Sequence, residues 1–283
     1  MIRFATEKDT ENIKSIWKIC FGDTDEFINL FFSKKYCPEN TLLFLENNLP
    51  VSALQILNYD LKFIDKIFPI NYICGICTLS EFRNKGIASK LINYSHKVSS
   101  EKKIPISILI PANENLIKFY EHFGYQQVFE ENNENYSLKK LIEETENLEI
   151  AYKKFCDLFS DKDILVLKTF EDFKTIVSEN KISNFESKTS CLGLAKILDF
   201  EFILKIFASQ NIEKSFSIEI SDLKQCFYID KGKILKYSNL NPDFKLNSRM
   251  FCRLVFGYKI NELEEKFQVY FPEYQTEINF MLE

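Results

Sequence analysis

Across the first 140 residues, apolar runs of strand length alternate with segments whose apolar residues recur at helical spacing, and that order leaves few folds open. Residues 2–5 read as a short strand. Thr6 then precedes a segment, Glu7 to Cys20, in which Ile13, Ile16, Trp17 and Cys20 share one face of a predicted amphipathic helix. A second helix is predicted over Asp25–Phe32. Residues 41–63 read as two strands around a turn at Glu46–Pro50. A strand at Asn71–Leu79, a polar turn at Ser80–Asn84 and a helix at Gly86–Ser99 follow. The series continues with a strand at Pro105–Ile110, a helix at Asn115–Phe123, a turn at Gly124 and a strand pair within Gln126–Leu138. This is the pattern of one α/β domain ending near residue 140.

The rest of the chain is punctuated differently. Lys139–Glu149 is rich in charge and reads either as a linker or as the start of a helix running into Tyr152–Phe159. Leu192–Ala208 is predicted as a helix from Leu194, Ile197, Leu198, Phe202, Leu204, Ile206 and Phe207. Ser215–Ile220, Gln225–Ile229 and Ile234–Tyr237 read as strands, with a turn at Asp230–Lys233. Ser248 is placed to cap a helix over Arg249–Phe256 that Gly257 stops, and Asn261 to cap another over Glu262–Tyr270. Together these describe a smaller α+β domain.

Composition narrows the class of function. The 283 residues are 46% hydrophobic and 27% charged, which suits globular cores. Net charge is −5 with no long basic run, which argues against nucleic acid as a partner. No apolar run approaches a membrane span, and MIRFATEKDT lacks a signal core. Eight cysteines in such a chain are expected as free thiols in a reducing cytoplasm. Cys74 and Cys77 have CxxC spacing, but they fall in a predicted strand rather than at a helix start. No second pair or nearby histidine completes a zinc site, so buried packing is the expectation and no metal is predicted.

The segment that carries chemistry runs from Cys74 to Leu91. A strand enters a loop whose Gly86 and small Ala88 open a helix. Backbone amides at a helix start lack partners and, with the helix dipole, form an anion site suited to a pyrophosphate. Glycine lets a phosphate approach the backbone, and Arg83, Lys85 and the Ser89 hydroxyl can supplement it. The same spacing also fits a glycine that merely permits a tight strand–helix turn.

Arg83-x-x-Gly86-x-Ala88 resembles the Q/R-x-x-G-x-G/A signature of the GNAT N-acetyltransferases. A second match lies downstream: Pro111-Ala-Asn113, then Tyr120 seven residues after Asn113, then Phe123-Gly124-Tyr125. The resemblance covers residues 1–140 and implies a GNAT fold with a mixed central sheet that binds acetyl-CoA. It implies that the backbone of Ile76, Cys77 and Thr78 faces the pantetheine arm and acetyl carbonyl. Arg83, Asn84, Lys85, Gly86, Ile87, Ala88 and Ser89 would hold the pyrophosphate, and Asn113 would bond near the pantetheine. Tyr120 would be the general acid, because a phenol beside the leaving thiolate can donate a proton. Taken alone, Tyr120 also fits a half-buried aromatic on an amphipathic helix.

The second half is similar to the sterol-carrier-protein-like C-terminal domain of the enhanced intracellular survival acetyltransferases. The likeness rests on the run ending at Asp199, on Arg249 to Tyr258, on Phe271-Pro272-Glu273 and on Ile278 to Glu283. It places that domain at residues 191–283 and leaves 141–190 as a linker or the remnant of a middle domain. It also implies that the terminal carboxylate, here on Glu283, enters the active site as a base. His96 and His122 are expected to be solvated, and Glu81 and Glu121 are weaker candidates for a base. Asp23, Asp25 and Glu26 either line an acceptor pocket or cap the second helix. The expected function is acetyl transfer from acetyl-CoA to a small-molecule or peptide amine. The alternative is an acyl-CoA or lipid-binding protein with a degenerate acetyltransferase domain. Neither the acceptor nor the oligomeric state is legible in the sequence.

Overall fold

Residues 1–130, 137–184, 192–236 and 241–281 are described by the computed structural model. In chain order the first elements are β1 (Ile2–Phe4), α1 (Thr10–Phe21), α2 (Asp25–Lys34), β2 (Thr41–Glu46), β3 (Leu49–Phe63), β4 (Lys66–Thr78), α3 (Ile87–Glu101), β5 (Ile106–Leu109), α4 (Asn115–Glu121) and β6 (Gln126–Phe129). Then come α5 (Leu138–Glu143), α6 (Leu148–Leu158), β7 (Ile164–Val166), α7 (Phe170–Ile182), β8 (Gly193–Ile197) and α8 (Phe200–Gln210). The last are β9 (Ser215–Ile220), β10 (Gln225–Asp230), β11 (Lys233–Lys236), β12 (Phe244–Leu246), α9 (Ser248–Val255), α10 (Glu265–Tyr270) and β13 (Thr276–Glu277).

Local sequence explains how the first helix is set. Thr6 and Asp9 form a reciprocal capping box ahead of α1, and Arg3 holds the Asp9 carboxylate with two bonds of 2.8 Å. Ile13, Ile16 and Trp17 are buried on one face, as their spacing predicts. Gly22, with φ 75°, ends the helix in the left-handed conformation.

The main sheet is mixed and follows the path β1-β2-β3-β4-β5-β8-β6, with β7 paired to β3 and β13 paired to β7. A second sheet runs β11-β10-β9-β12 and packs with α8, α9 and α10 as a smaller α+β unit. Both expected architectures are therefore present. The boundaries drawn at residues 140 and 190, however, fall inside one sheet, because β7, β8 and β13 all belong to it.

The largest difference from expectation is β8. Residues 192–208 are not one helix: Gly193–Ile197 is a strand between β5 and β6, and α8 begins only at Phe200. A strand buried on both faces is a continuous apolar run, which periodicity cannot separate from a buried helix. Asp199 marks the true helix start, accepting from Phe202 N at 2.9 Å. β8 also takes the place beside β6 that the expected pair within 126–138 assigned to a local partner. Residues 131–136 lie outside the described residues, and Leu138 begins α5. Smaller corrections concern two caps. Asn247, not Ser248, caps α9, and the helix after Asn261 begins at Glu265.

The end of the described chain is buried on this sheet. β13 runs parallel to β7, Thr276 Oγ1 donates to Val128 O at 2.6 Å, and Ile278, Phe280 and Met281 are buried. Among the described residues, no helix is long and apolar enough to cross a membrane.

Candidate active site

β4 and β5 run parallel, but their register is shared at only two pairs, Asn71–Ser107 and Tyr72–Ile108. β5 ends at Leu109, whereas β4 continues to Thr78. Beyond Tyr72 the strands part, and the β5-facing edge of β4 loses its strand neighbour. Its other edge stays paired to β3 through Ala53–Cys77 and Ser52–Thr78. The Ser52 hydroxyl also donates to Cys77 O at 2.6 Å and lies 2.8 Å from Thr78 Oγ1.

A bulge marks the place where β4 turns away. The register passes from Gln55–Cys74 to Ala53–Cys77, so two residues of β4, Gly75 and Ile76, oppose Leu54 alone. An extra residue of this kind bends a strand and increases its twist. Gly75 has φ 56°, and a Cβ there would stand 2.4 Å from Cζ3 of Trp17. The indole of α1 thus sits where any other residue would carry its side chain. Trp17 is itself fixed by Nε1 donating to the Asp23 carboxylate at 2.6 Å.

Past Thr78 the chain makes one turn of 3-10 helix and enters the loop before α3. Asn84 (φ 61°) and Gly86 (φ 70°) are both left-handed. A Cβ at Gly86 would meet nothing within 4 Å, so the backbone conformation favours glycine and the space above it is open. The first helical bond of α3 is donated by Lys90 N to Gly86 O at 3.1 Å. The amides of Ile87, Ala88 and Ser89 precede it and, as helix-start donors, have no partner within the helix. Arg83, Asn84, Lys85 and Gly86 are exposed, Ala88 and Ser89 half-buried, and Ile87 anchors the turn in the core. Arg83 Nε donates to Thr78 O at 2.9 Å, which holds this cation at the end of β4.

Tyr120 lies in the last turn of α4, buried in the apolar cluster of Ile73, Leu91 and Ile92, against which Ile76 also packs. Its ring meets Phe119 and Tyr125 edge-on. Asn113 is exposed just ahead of α4. Tyr125 OH stands 2.7 Å from Ser107 Oγ and 3.0 Å from His96 Nε2. Burial pushes the Tyr125 phenol up. Burial, with the nearby Lys196 ammonium, pushes His96 down to about 3, so the imidazole is neutral. His96 is therefore not solvated: three and four residues from Ser99 and Ile92, it faces inward on α3. His122 is exposed as expected, with Nδ1 2.6 Å from Lys118 O.

Other predicted positions divide. Glu121 is tied to Arg249 of α9, and Glu81 is an exposed loop carboxylate bonded by Ser80. Asp25 pairs with Lys18 at 2.5 Å, and Thr24, not an acidic residue, caps α2. Glu283 lies outside the described residues. A cleft of about 920 Å³, lined by His96, Lys196 and Arg249 among others, contains neither Tyr120 nor any residue of the 83–89 loop. Sequence reasoning missed the Trp17–Gly75 contact and with it Cys20, which lies near Cys77 and Arg83. A glycine inside a strand pattern was the available signal, since such glycines mark bulges.

Comparison with known proteins agrees with this geometry. Residues 1–128 match the family described as acetyltransferase (GNAT) domain. No curated protein sequence matches the chain. Along nearly its whole length the fold resembles an Enterococcus faecalis V583 protein described as a probable N-acyltransferase, at TM-score 0.68 and 11% identity over 99% of this chain and 98% of that one. A GCN5-related N-acetyltransferase from Anabaena variabilis ATCC 29413 gives TM-score 0.64 and 12% identity over 99% and 100%. Eis1 from Mycobacterium abscessus gives 0.56 and 10% over 91% and 90%. At such identities these likenesses speak for the fold. The family match speaks for its first part: residues 1–128 form a GNAT acetyltransferase domain, and the chain that carries it is an enzyme of the N-acetyltransferase type.

Proposed function

We propose that this protein transfers the acetyl group of acetyl-CoA to an amine by direct attack, without a covalent enzyme intermediate. The observation that carries the reading is the parting of β4 from β5 immediately before a left-handed loop and a helix start. An unpaired strand edge can bond an extended amide-bearing arm, and a helix start can hold the pyrophosphate at its far end. On this reading Ile76, Cys77 and Thr78 offer backbone groups to the pantetheine. Arg83, Asn84, Lys85, Gly86, Ile87, Ala88 and Ser89 cradle the pyrophosphate, and Asn113 bonds near the pantetheine.

The chemistry then needs one proton donor. A neutral amine attacks the thioester carbonyl, the tetrahedral intermediate collapses, and the C–S bond breaks. Tyr120 gives its phenolic proton to the departing sulfur, and the nitrogen loses its extra proton to water. Because Tyr120 is buried, water competes poorly for that role. Lipid binding by the second unit is the other reading. It is disfavoured by the rings that fill that unit's sheet face, where Phe216 meets Phe207, Phe244, Tyr270 and Phe271.

The test is a panel of amines incubated with acetyl-CoA while free thiol is followed. Thiol release that depends on both the amine and Tyr120 is the expected result. Tight acetyl-CoA binding with no amine-dependent release from any member would favour a binding protein instead.

A further inference from the structure

The cleft of about 920 Å³ lies where the acetyltransferase unit meets the second unit. One wall is the last turns of α3 and the turn after α4. The other is the start of α8, the β9–β10 turn and the start of α9, and β8 supplies Lys196 and Ile197 between them. The proposed transfer reaction uses none of its residues, so it leaves the cleft without a role. Its volume is that of a site for a small organic ligand.

Hydrogen bonding around the cleft is unevenly spent. The four carboxylates of the lining all have partners. Glu121 holds Arg249, and Glu201 pairs with Lys205 at 2.8 Å and Lys236 at 3.2 Å. Asp199 accepts from Phe202 N at 2.9 Å, and Asp222 accepts from Ser248 N at 2.9 Å and from the Ser248 hydroxyl. The cationic donors are served less well. The Lys196 ammonium donates to Phe123 O and lies against Gly124, where a Cβ would stand 3.4 Å from its nitrogen. Among the described residues neither Lys196 nor Lys103 forms an ion pair. The Arg249 Nε is buried without a hydrogen-bond partner, while its Nη2 holds Glu121.

We propose that this cleft binds a small phosphorylated sugar or polyol, its phosphate received by Lys196, Lys103 and Arg249 Nε and its hydroxyls by Asp199, Asp222 and Glu201. A phosphate dianion brings the acceptors and the counter-charge that these donors lack. Burial pushes the Lys196 ammonium down, and the field of Asp222 restores only part of that, as expected of a cation short of counter-charge. A carboxylate that already accepts a bond keeps lone pairs for hydroxyl donors but repels another acid. That favours a polyol phosphate over a di- or tricarboxylate, whose outer acid groups would face the carboxylates of the lining. Phe123, Leu198 and Leu223 offer apolar surface to the carbon frame. Lys103 follows α3, Lys196 is on β8 and Arg249 is on α9, so one phosphate would tie both units together.

The experiment is isothermal titration of the full chain in phosphate-free buffer, with glucose 6-phosphate, ribose 5-phosphate and glycerol 3-phosphate as probes. At least one is expected to bind with Kd below about 1 mM. That probe should bind at least about tenfold more tightly than inorganic phosphate, citrate or free glucose. Lys196→Met and Lys103→Glu are each expected to weaken it by about tenfold or more. Lys103 is exposed, so its variant does not threaten the fold. Gly86→Glu should leave the affinity unchanged, which separates this cleft from the 83–89 loop. Three outcomes would overturn the proposal: no binding of any of the three probes, inorganic phosphate or citrate binding as tightly as the best of them, or full affinity in either lysine variant. Loss of binding in Gly86→Glu would overturn it too, by moving the site to the loop. None of these readouts depends on acetyl transfer.

Discussion

Two regions of this molecule are ordered in opposite ways. At the end of β4 the backbone departs from regularity at Gly75, Asn84 and Gly86, all with positive φ, and the loop residues 83–86 are exposed. Where the four-stranded sheet meets its helices, Phe207, Phe216, Phe244 and Phe271 are buried and meet ring to ring, and Phe227 is buried as well. The first region gains chemistry by leaving backbone donors and a strand edge without neighbours. The second gains stability by filling space. On the proposed reading, a site for an anionic cofactor depends on a few conformations, and a core on many contacts, so substitutions in the two regions are expected to fail differently.

The largest effect is expected in the aromatic core. Phe216→Ala should cost about 3–5 kcal/mol of stability, measured by urea unfolding, because a ring inside a packed cluster leaves a cavity. A loss below about 1 kcal/mol would show that the cluster collapses freely and would break the contrast. Next comes Gly86→Glu, which is expected to weaken coenzyme A binding by about a thousandfold, or some 4 kcal/mol, while the protein stays folded. The new carboxylate would stand where the pyrophosphate is proposed to lie. Isothermal titration giving near-normal affinity would reduce the loop to a mere turn.

Gly75→Ala sharpens the comparison, because it puts a packing failure inside the chemical region. The added Cβ meets Trp17 and is held at positive φ, so a loss of about 2–4 kcal/mol is expected. Pairing it with Trp17→Phe should recover part of that loss. If the double variant is no more stable than the single, the indole does not hold the bulge. Tyr120→Phe should leave stability nearly unchanged and acetyl-CoA affinity intact while lowering kcat about a hundredfold, near 2.7 kcal/mol in the barrier. Unchanged turnover would remove Tyr120 from the mechanism.

The smallest effect concerns neither region but the entry to α1. The Arg3 guanidinium, with the Thr6 hydroxyl and amide, holds the Asp9 carboxyl well below the usual carboxylate range. A depressed carboxyl contributes stability that is complete above the unfolded value of about 3.9 and is lost as pH falls toward the folded one. Asp9→Asn is therefore expected to cost about 1.5–3 kcal/mol at neutral pH. The gap between variant and parent should close as the solution is acidified below about pH 4. A gap of equal size at pH 7 and in strong acid would mean that packing, not charge, makes the difference.

The elements that could be read early share a property: their signals are local. Ile13, Ile16 and Trp17 announce α1 at helical spacing, and the Arg83–Ser89 motif announces a loop before α3 because Gly86 and Ala88 stand at fixed offsets. His96 was misread because its neighbours on α3 are polar, although those neighbours, Ser95 and Ser99, are themselves buried and bonded to helix carbonyls. β8 was misread because Leu194, Ala195 and Ile197 are buried whichever period is assumed.

The sequence by itself determined most helices and strands of the first 130 residues, although β4 begins at Lys66 rather than Asn71, and it determined the loop before α3 and the α+β character of the second half. Each follows from residues close in the chain, where spacing, caps and turns act directly. The tertiary structure alone decided that β8 crosses back to separate β5 from β6, and that β7 and β13 extend the same sheet. It also decided that Trp17 fills the space over Gly75. These are contacts between residues far apart in the chain, and strand pairing and side-chain packing choose their partners only when the whole sheet forms.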